Sequence, residues 1–107
     1  MKIYHIVTPT DWQQYSELPI YEAASLHTEG FIHCSKASQV LGVVERYYSE
    51  VPDLLLLHIN PEALGEKLVY EASTNQELFP HLYGSLDKKA IVEISTLKSN
   101  GLLIGLP

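Results

Sequence analysis

Three stretches decide the fold: Phe31-Ile32-His33-Cys34-Ser35, then Val40-Leu41-Gly42-Val43-Val44-Glu45-Arg46-Tyr47-Tyr48, then Leu54-Leu55-Leu56-Leu57-His58-Ile59. The first is short, aromatic and β-branched, and reads as a strand. Alternate residues of a strand share a face, so Phe31, His33 and Ser35 point one way and Ile32 and Cys34 the other. The second has Val40, Val43, Val44 and Tyr47 at i, i+3, i+4 and i+7, one apolar stripe of a helix widened by Leu41 and Tyr48. Ser35 is a natural cap for that helix, and Pro52 lies beyond its end. The third is a near-continuous apolar strand, expected to be buried on both faces.

Outward from this centre the pattern continues. Residues 2–7 read as a first strand. Thr10 with Gln13 three residues on suggests a capped helix that Pro19 stops. Residues 25–30 look like one helical turn closed by Gly30. Asn60-Pro61 reads as a cap followed by proline in the first helical position. Residues 67–71 and 91–97 are strands, and Asn100-Gly101 is a hairpin signal. Residues 72–89 show no period and read as a long loop carrying Phe79-Pro80-His81-Leu82-Tyr83-Gly84. The order is mostly strands with two or three helices placed early. An α+β domain with a small mixed or antiparallel sheet is expected.

The 107 residues suffice for one domain. Cys34 is the only cysteine, which excludes an intramolecular disulfide and a Cys-rich zinc knuckle and suggests a reducing compartment. The longest aliphatic run is four leucines, against the roughly 20 apolar residues of a membrane span. The first residues lack the apolar stretch of a signal peptide, so a cytoplasmic protein is expected. Net charge is −6, and Arg46 is the only arginine, so duplex nucleic acid is not an expected partner.

Five histidines stand out: His5, His27, His33, His58 and His81. His5 and His33 interrupt strands that otherwise read as core. A buried imidazole costs free energy unless both nitrogens are satisfied. Two strand histidines, with His81 in an aromatic loop, suggest one polar pocket. Alternatively each is a satisfied core or edge histidine. No metal is expected, because there is no His-x-His, no His-x-x-x-His and no Glu-rich helix face. Cys34 reads as a small buried side chain. Glu71 reads as a catalytic carboxylate or a solvated strand end. Nucleotide fingerprints of the Gly-x-Gly-x-x-Gly and Gly-x-x-x-x-Gly-Lys types are absent, as is a Gly-x-Ser-x-Gly elbow.

Ile3-Tyr4-His5-Ile6, the block Glu29-Gly30-Phe31-Ile32-His33-Cys34-Ser35 and the block Phe79 to Gly84 together resemble the family known as domain of unknown function 952. That family is grouped with the ADP-ribosyltransferase-like fold and is similar to RNA 2′-phosphotransferases. The resemblance implies two small, split sheets gripping NAD or an ADP-ribose-like nucleotide. It implies His5, Ser35 and Tyr83 as cofactor contacts, with His5 on a ribose hydroxyl and Tyr83 stacked on a base. On that reading His33 and His81 position substrate or move a proton, and Glu71 or Glu77, by order along the chain only, stands for the catalytic glutamate of the ADP-ribosyltransferases. The reaction would be transfer or hydrolysis at the nicotinamide ribose. The chain departs from the phosphotransferases in having one arginine, outside any matching motif, and no glycine after His5. Two alternatives therefore stand: a catalytically inactive nucleotide or small-molecule binding module, and an unrelated hydrolase or metal site using the histidine cluster.

Overall fold

The structure is a computed structural model that describes residues 1–98. Strand β1 spans Ile3–Val7, helix α1 Pro9–Gln13, strand β2 Ile20–Tyr21, helix α2 Ala24–Thr28 and strand β3 Ile32–His33. Helix α3 follows at Val40–Tyr47 and strand β4 at Asp53–Ile59. The chain continues with β5 Leu68–Ala72, β6 Leu78–Leu82, β7 Leu86–Asp87 and β8 Ile91–Lys98. Every pairing among the described residues is antiparallel. One sheet has the order β1-β4-β8, a second the order β3-β6-β5, and β2 pairs with β7. The α+β expectation holds in this coarse form.

The two three-stranded sheets meet at one residue pair. The Tyr4 N–H donates to the Ser35 carbonyl at 2.8 Å, and the Ser35 N–H donates back to the Tyr4 carbonyl at 2.7 Å. Ser35 is thus committed to β1 through its backbone and does not cap α3. The turn ahead of α3, Ala37–Gln39, is closed by the Gln39 side chain, which accepts from the Lys36 N–H at 2.9 Å. The Gln39 amide also donates to the Leu78 carbonyl at 3.0 Å, tying the start of α3 to β6.

The central strand β4 sits between β1 and β8 and is covered on both faces, as its run of leucines predicts. Ile3, Val7, Leu57 and Ile59 pack with Tyr21, Ile32 and Leu82 on one side. Tyr4, Ile6, Leu54 and Leu56 pack with Val40, Val44 and Leu97 on the other. Each fully buried leucine contributes about 1.5–3 kcal/mol over an exposed one. Of the expected helical stripe, Val40 and Val44 are buried and Val43 and Tyr48 pack at the margin, while Leu41 and Tyr47 stay exposed. The helix runs only eight residues, so its buried arc is narrower than the full periodic set.

Three further expectations need correction. Helix α1 is capped by Thr8, whose hydroxyl accepts from the Asp11 N–H at 3.2 Å. Pro9 then takes the first helical position, which suits a residue without an N–H, and α1 ends well before Pro19. The supposed loop at residues 72–89 contains β6, the middle strand of its sheet, and β7. Pro80 is tolerated in β6 because its carbonyl, which accepts from the Cys34 N–H at 3.0 Å, faces the side where β3 has ended. The missing proline donor falls on that same side. The Asn100-Gly101 hairpin lies outside the described residues. Among the described residues, no helix is long and apolar enough to cross a membrane.

Candidate functional site

Where the two sheets part beside the Tyr4–Ser35 bridge, a cavity of about 420 Å³ opens. One wall comes from the two strands, with His5 and Ile6 of β1 and His33, Cys34 and Ser35 at and after the end of β3. Its other walls come from α3 and the turn after it, with Val43, Arg46, Tyr47 and Tyr48, and from Glu29, Ser73 and Phe79. Volumes of this size suit a small-molecule ligand.

His5 is 7% exposed and fully partnered. Its Nδ1 lies 2.6 Å from the His33 carbonyl oxygen, and its Nε2 lies 2.9 Å from the Tyr21 hydroxyl. A carbonyl only accepts, so Nδ1 carries the proton and Nε2 accepts from Tyr21. Burial is the main cause that pushes the imidazole down to about pKa 4, so it is neutral at pH 7. The expected grip on a ribose hydroxyl is therefore not present in this geometry. Both nitrogens are spent on the protein, and His5 acts by holding β3 against β1 at the cleft wall.

His33 is the exposed histidine of the cleft. Its Nε2 faces the Glu29 carboxylate at 3.2 and 3.3 Å. Both side chains are about half exposed (48% and 51%), so this pair orients the ring and adds little stability. Gly30 makes the approach possible. With φ at +93° it closes α2, its N–H donates to the Leu26 carbonyl at 3.1 Å, and the chain turns from Glu29 into β3.

His81 stands directly across the ladder from His33, with ring centroids 5.4 Å apart. It is buried in β6, does not line the cleft, and is stacked by Phe31 at 4.1 Å. Its Nδ1 donates to Glu71 Oε1 at 2.7 Å, and the Tyr83 hydroxyl donates to the same oxygen at 2.6 Å. The bond from Tyr83, then that from His81, hold the Glu71 carboxyl below its usual range. The same carboxylate raises the Tyr83 phenol. The His81 Nε2 is buried without a partner.

The six residues singled out by sequence therefore fall into two adjoining groups. His5, His33 and Ser35 surround the cleft. Glu71, His81 and Tyr83 form a separate network behind Phe31 and His33. The placement of His81 in a loop over the cleft is corrected, because the segment is a strand with its imidazole turned toward Glu71. Sequence reasoning missed Glu29, Arg46, Tyr48 and Ser73 as wall residues. Glu29 stood inside the motif block that flagged His33, and Arg46 was conspicuous as the lone arginine. Their convergence depends on how α3 lies over the parted strands, which no local pattern reports. Among the described residues, no group of three His, Cys, Asp or Glu side chains is placed to hold a metal ion.

Cys34 is 2% exposed, and burial pushes its thiol up to about pKa 12. Only the thiolate is nucleophilic. The native protein is expected to react with an aromatic disulfide reagent far more slowly than the urea-unfolded chain. Equal rates in the two states would contradict the burial of this thiol.

With fold and cleft in hand, the chain can be placed among known proteins. It belongs to the family described as "Protein of unknown function (DUF952)", whose sequence profile matches residues 6–94. It is similar to protein CC0527 from Caulobacter crescentus. The crystal structure of that protein is 30% identical with a TM-score of 0.85, covering 95% of this chain and 92% of the other. The solution NMR structure of CC0527 gives 30% identity and a TM-score of 0.78, covering 94% and 89%. No curated protein matches the chain.

Proposed function

We propose that the cleft binds NAD or an ADP-ribose-like nucleotide, as an ADP-ribosyltransferase-like domain would. The observation that carries this reading is the place of the cleft. It opens where two small antiparallel sheets separate beside a single bridge, and both histidine motifs of the resemblance, at His5 and at His33, reach it. The wall chemistry fits such a ligand. Arg46 supplies a cation for phosphate, Ser35 and Ser73 supply small polar side chains, and Tyr47, Tyr48 and Phe79 supply aromatic surface for a base.

The reaction that suits this cleft is cleavage of the bond between ribose C1′ and the nicotinamide nitrogen. Nicotinamide leaves with the bonding electrons, and water or an acceptor nucleophile bonds to C1′ and gives up its proton. Glu29 is the carboxylate that lines the cleft among the described residues, and in this reading it faces the positive charge that develops on the ribose. His33, whose ring it orients, is the proton carrier. Glu71 and His81, expected earlier in those roles, serve instead as support beneath Phe31 and His33.

A second reading, a binding module without catalysis, is favoured by one observation: Glu29 already faces His33 and Glu71 is occupied by His81 and Tyr83. A metal site would need His5 to give up Tyr21 or the His33 carbonyl, which argues against that third reading. A thermal-shift series with NAD, ADP-ribose, other nucleotides and divalent metals tests the proposal. A ligand of the native state raises the midpoint. NAD or ADP-ribose is expected to raise it and zinc is not. A rise with metals alone would overturn the nucleotide reading. Nicotinamide release from NAD separates the enzyme from the module.

A further inference from the structure

Arg46 is the chain's only arginine in a protein of net charge −6. It lies in the last turn of α3, lines the cleft, and takes part in none of the ion pairs among the described residues. A solvated cation at that place would merely complement the helix dipole. Two further observations go beyond that. The guanidinium carbon is 5.8 Å from the centre of the Tyr47 ring. The head group is also folded back one turn, so that a Cβ on Gly42 would stand 3.1 Å from Nη1 and 3.7 Å from Cζ.

Gly42 has no need of glycine for its backbone, because its φ is not in the left-handed region. A glycine inside a helix weakens it relative to alanine. What its missing side chain provides is room for the Arg46 head group against the helix. An arginine resting against the helix in this way keeps its guanidinium at the cleft wall that the residue lines.

We infer that Arg46, seated on Gly42, is the phosphate-binding residue of the cleft, and that the cleft selects a nucleotide of low negative charge. The inference rests on the nucleotide reading above. One guanidinium makes a bidentate pair with one phosphate. No lysine lines the cavity, and the Glu29 carboxylate does. Each additional uncompensated phosphate therefore enters a field of the wrong sign. NAD suits this balance because its pyridinium cation offsets one of its two phosphate charges. NADP and ATP carry further phosphate charge with no cation to meet it.

The test is calorimetric titration of the full chain at fixed ionic strength with NAD, NADP and adenosine, comparing wild type with R46Q, R46K and G42A. Wild type is expected to bind NAD more tightly than NADP. R46Q should lose about tenfold to hundredfold of its NAD affinity while its adenosine affinity stays the same. R46K should recover part of the loss, since a point charge replaces the fork. G42A should raise the thermal midpoint by helix propensity and yet weaken NAD binding, a pair of effects that a purely structural glycine would not give. Arg46 is exposed, so R46Q should fold as wild type does, which its melting curve verifies. If R46Q binds NAD as tightly as wild type, the phosphate role is overturned and the nucleotide reading survives. If NADP binds more tightly than NAD, the selection for low charge is overturned. Unchanged affinity in G42A overturns the role of the seat. If neither NAD nor adenosine binds wild type at millimolar concentration, the inference and the nucleotide reading fail together.

Discussion

His81→Ala is expected to destabilise the protein by about 2–4 kcal/mol, through the cavity left by a buried ring and the loss of a charge-assisted hydrogen bond. His81 is 4% exposed in the middle strand of its sheet. It donates to Glu71 at 2.7 Å and carries the Phe31 ring stacked at 4.1 Å. Removing it takes the stacked ring from Phe31, which keeps only its tilted and edge contacts to Tyr83 and His33, and leaves Glu71 with Tyr83 alone. Urea denaturation of the variant measures the loss. Because His81 does not line the cleft, the folded variant should keep most of its ligand affinity. A stability change within about ±0.5 kcal/mol, together with lost binding, would return His81 to the site itself.

The second large effect is a fall in stability on acidification. The His5 imidazole of the unfolded chain takes its proton near its ordinary value of 6.5, but the folded ring does so only near 4. Between those pH values the unfolded state binds more protons, so stability falls as pH falls. The full contribution is present above pH 6.5 and is lost on the way down to pH 4. The shift corresponds to roughly 3 kcal/mol. Burial lowers His58 as well, which adds in the same direction. Urea curves at pH 7.5, 6, 5 and 4 should show the decline for wild type. His5→Gln should be less stable at pH 7.5, since it breaks the bonds to Tyr21 and the His33 carbonyl, and its pH slope should be shallower. A wild-type stability that is flat from pH 7.5 to 4 would show that His5 is not held neutral by the fold.

The parts of the molecule legible in the sequence are those governed by local chemistry. The run from Leu54 to Ile59 announces a strand covered on both faces, because nothing in it tolerates water. Gly30 announces the end of α2 because the left-handed φ there suits glycine. Asn60-Pro61 announces its turn, and the Asn60 side chain does accept from the Glu62 N–H at 3.1 Å. Strand β6 was hidden for an equally definite reason. Pro80 reads as a breaker, and the aromatic segment around it lacks the period of a half-buried strand, since Phe79 to Leu82 are buried on both faces. Only the short length of β3 lets the proline stay.

The site divides along the same line. His5 and His33 were visible as polar residues in apolar strands, and the alternation that sends Cys34 to the core is seen in its 2% exposure. Which histidine stays exposed in the cleft was not visible. That depends on the hydroxyl of Tyr21, sixteen positions away, and on Glu71, placed beside His81 by the β5–β6 register. Arg46 was set aside because it lies outside every motif. It reaches the cleft because α3 packs Val40 and Val44 against the first sheet and leaves Arg46 at its open end.

If a nucleotide occupies the cleft, a titration of isotope-labelled protein with NAD, followed by NMR, reports it residue by residue. Saturable shift changes are expected at Glu29, His33, Ser35, Arg46, Tyr48 and Ser73, with His58 and Ser95, which do not line the cleft, unmoved. Shift changes gathered around His58 and Ser95, or a spectrum unaltered at millimolar NAD, would contradict nucleotide binding in the cleft.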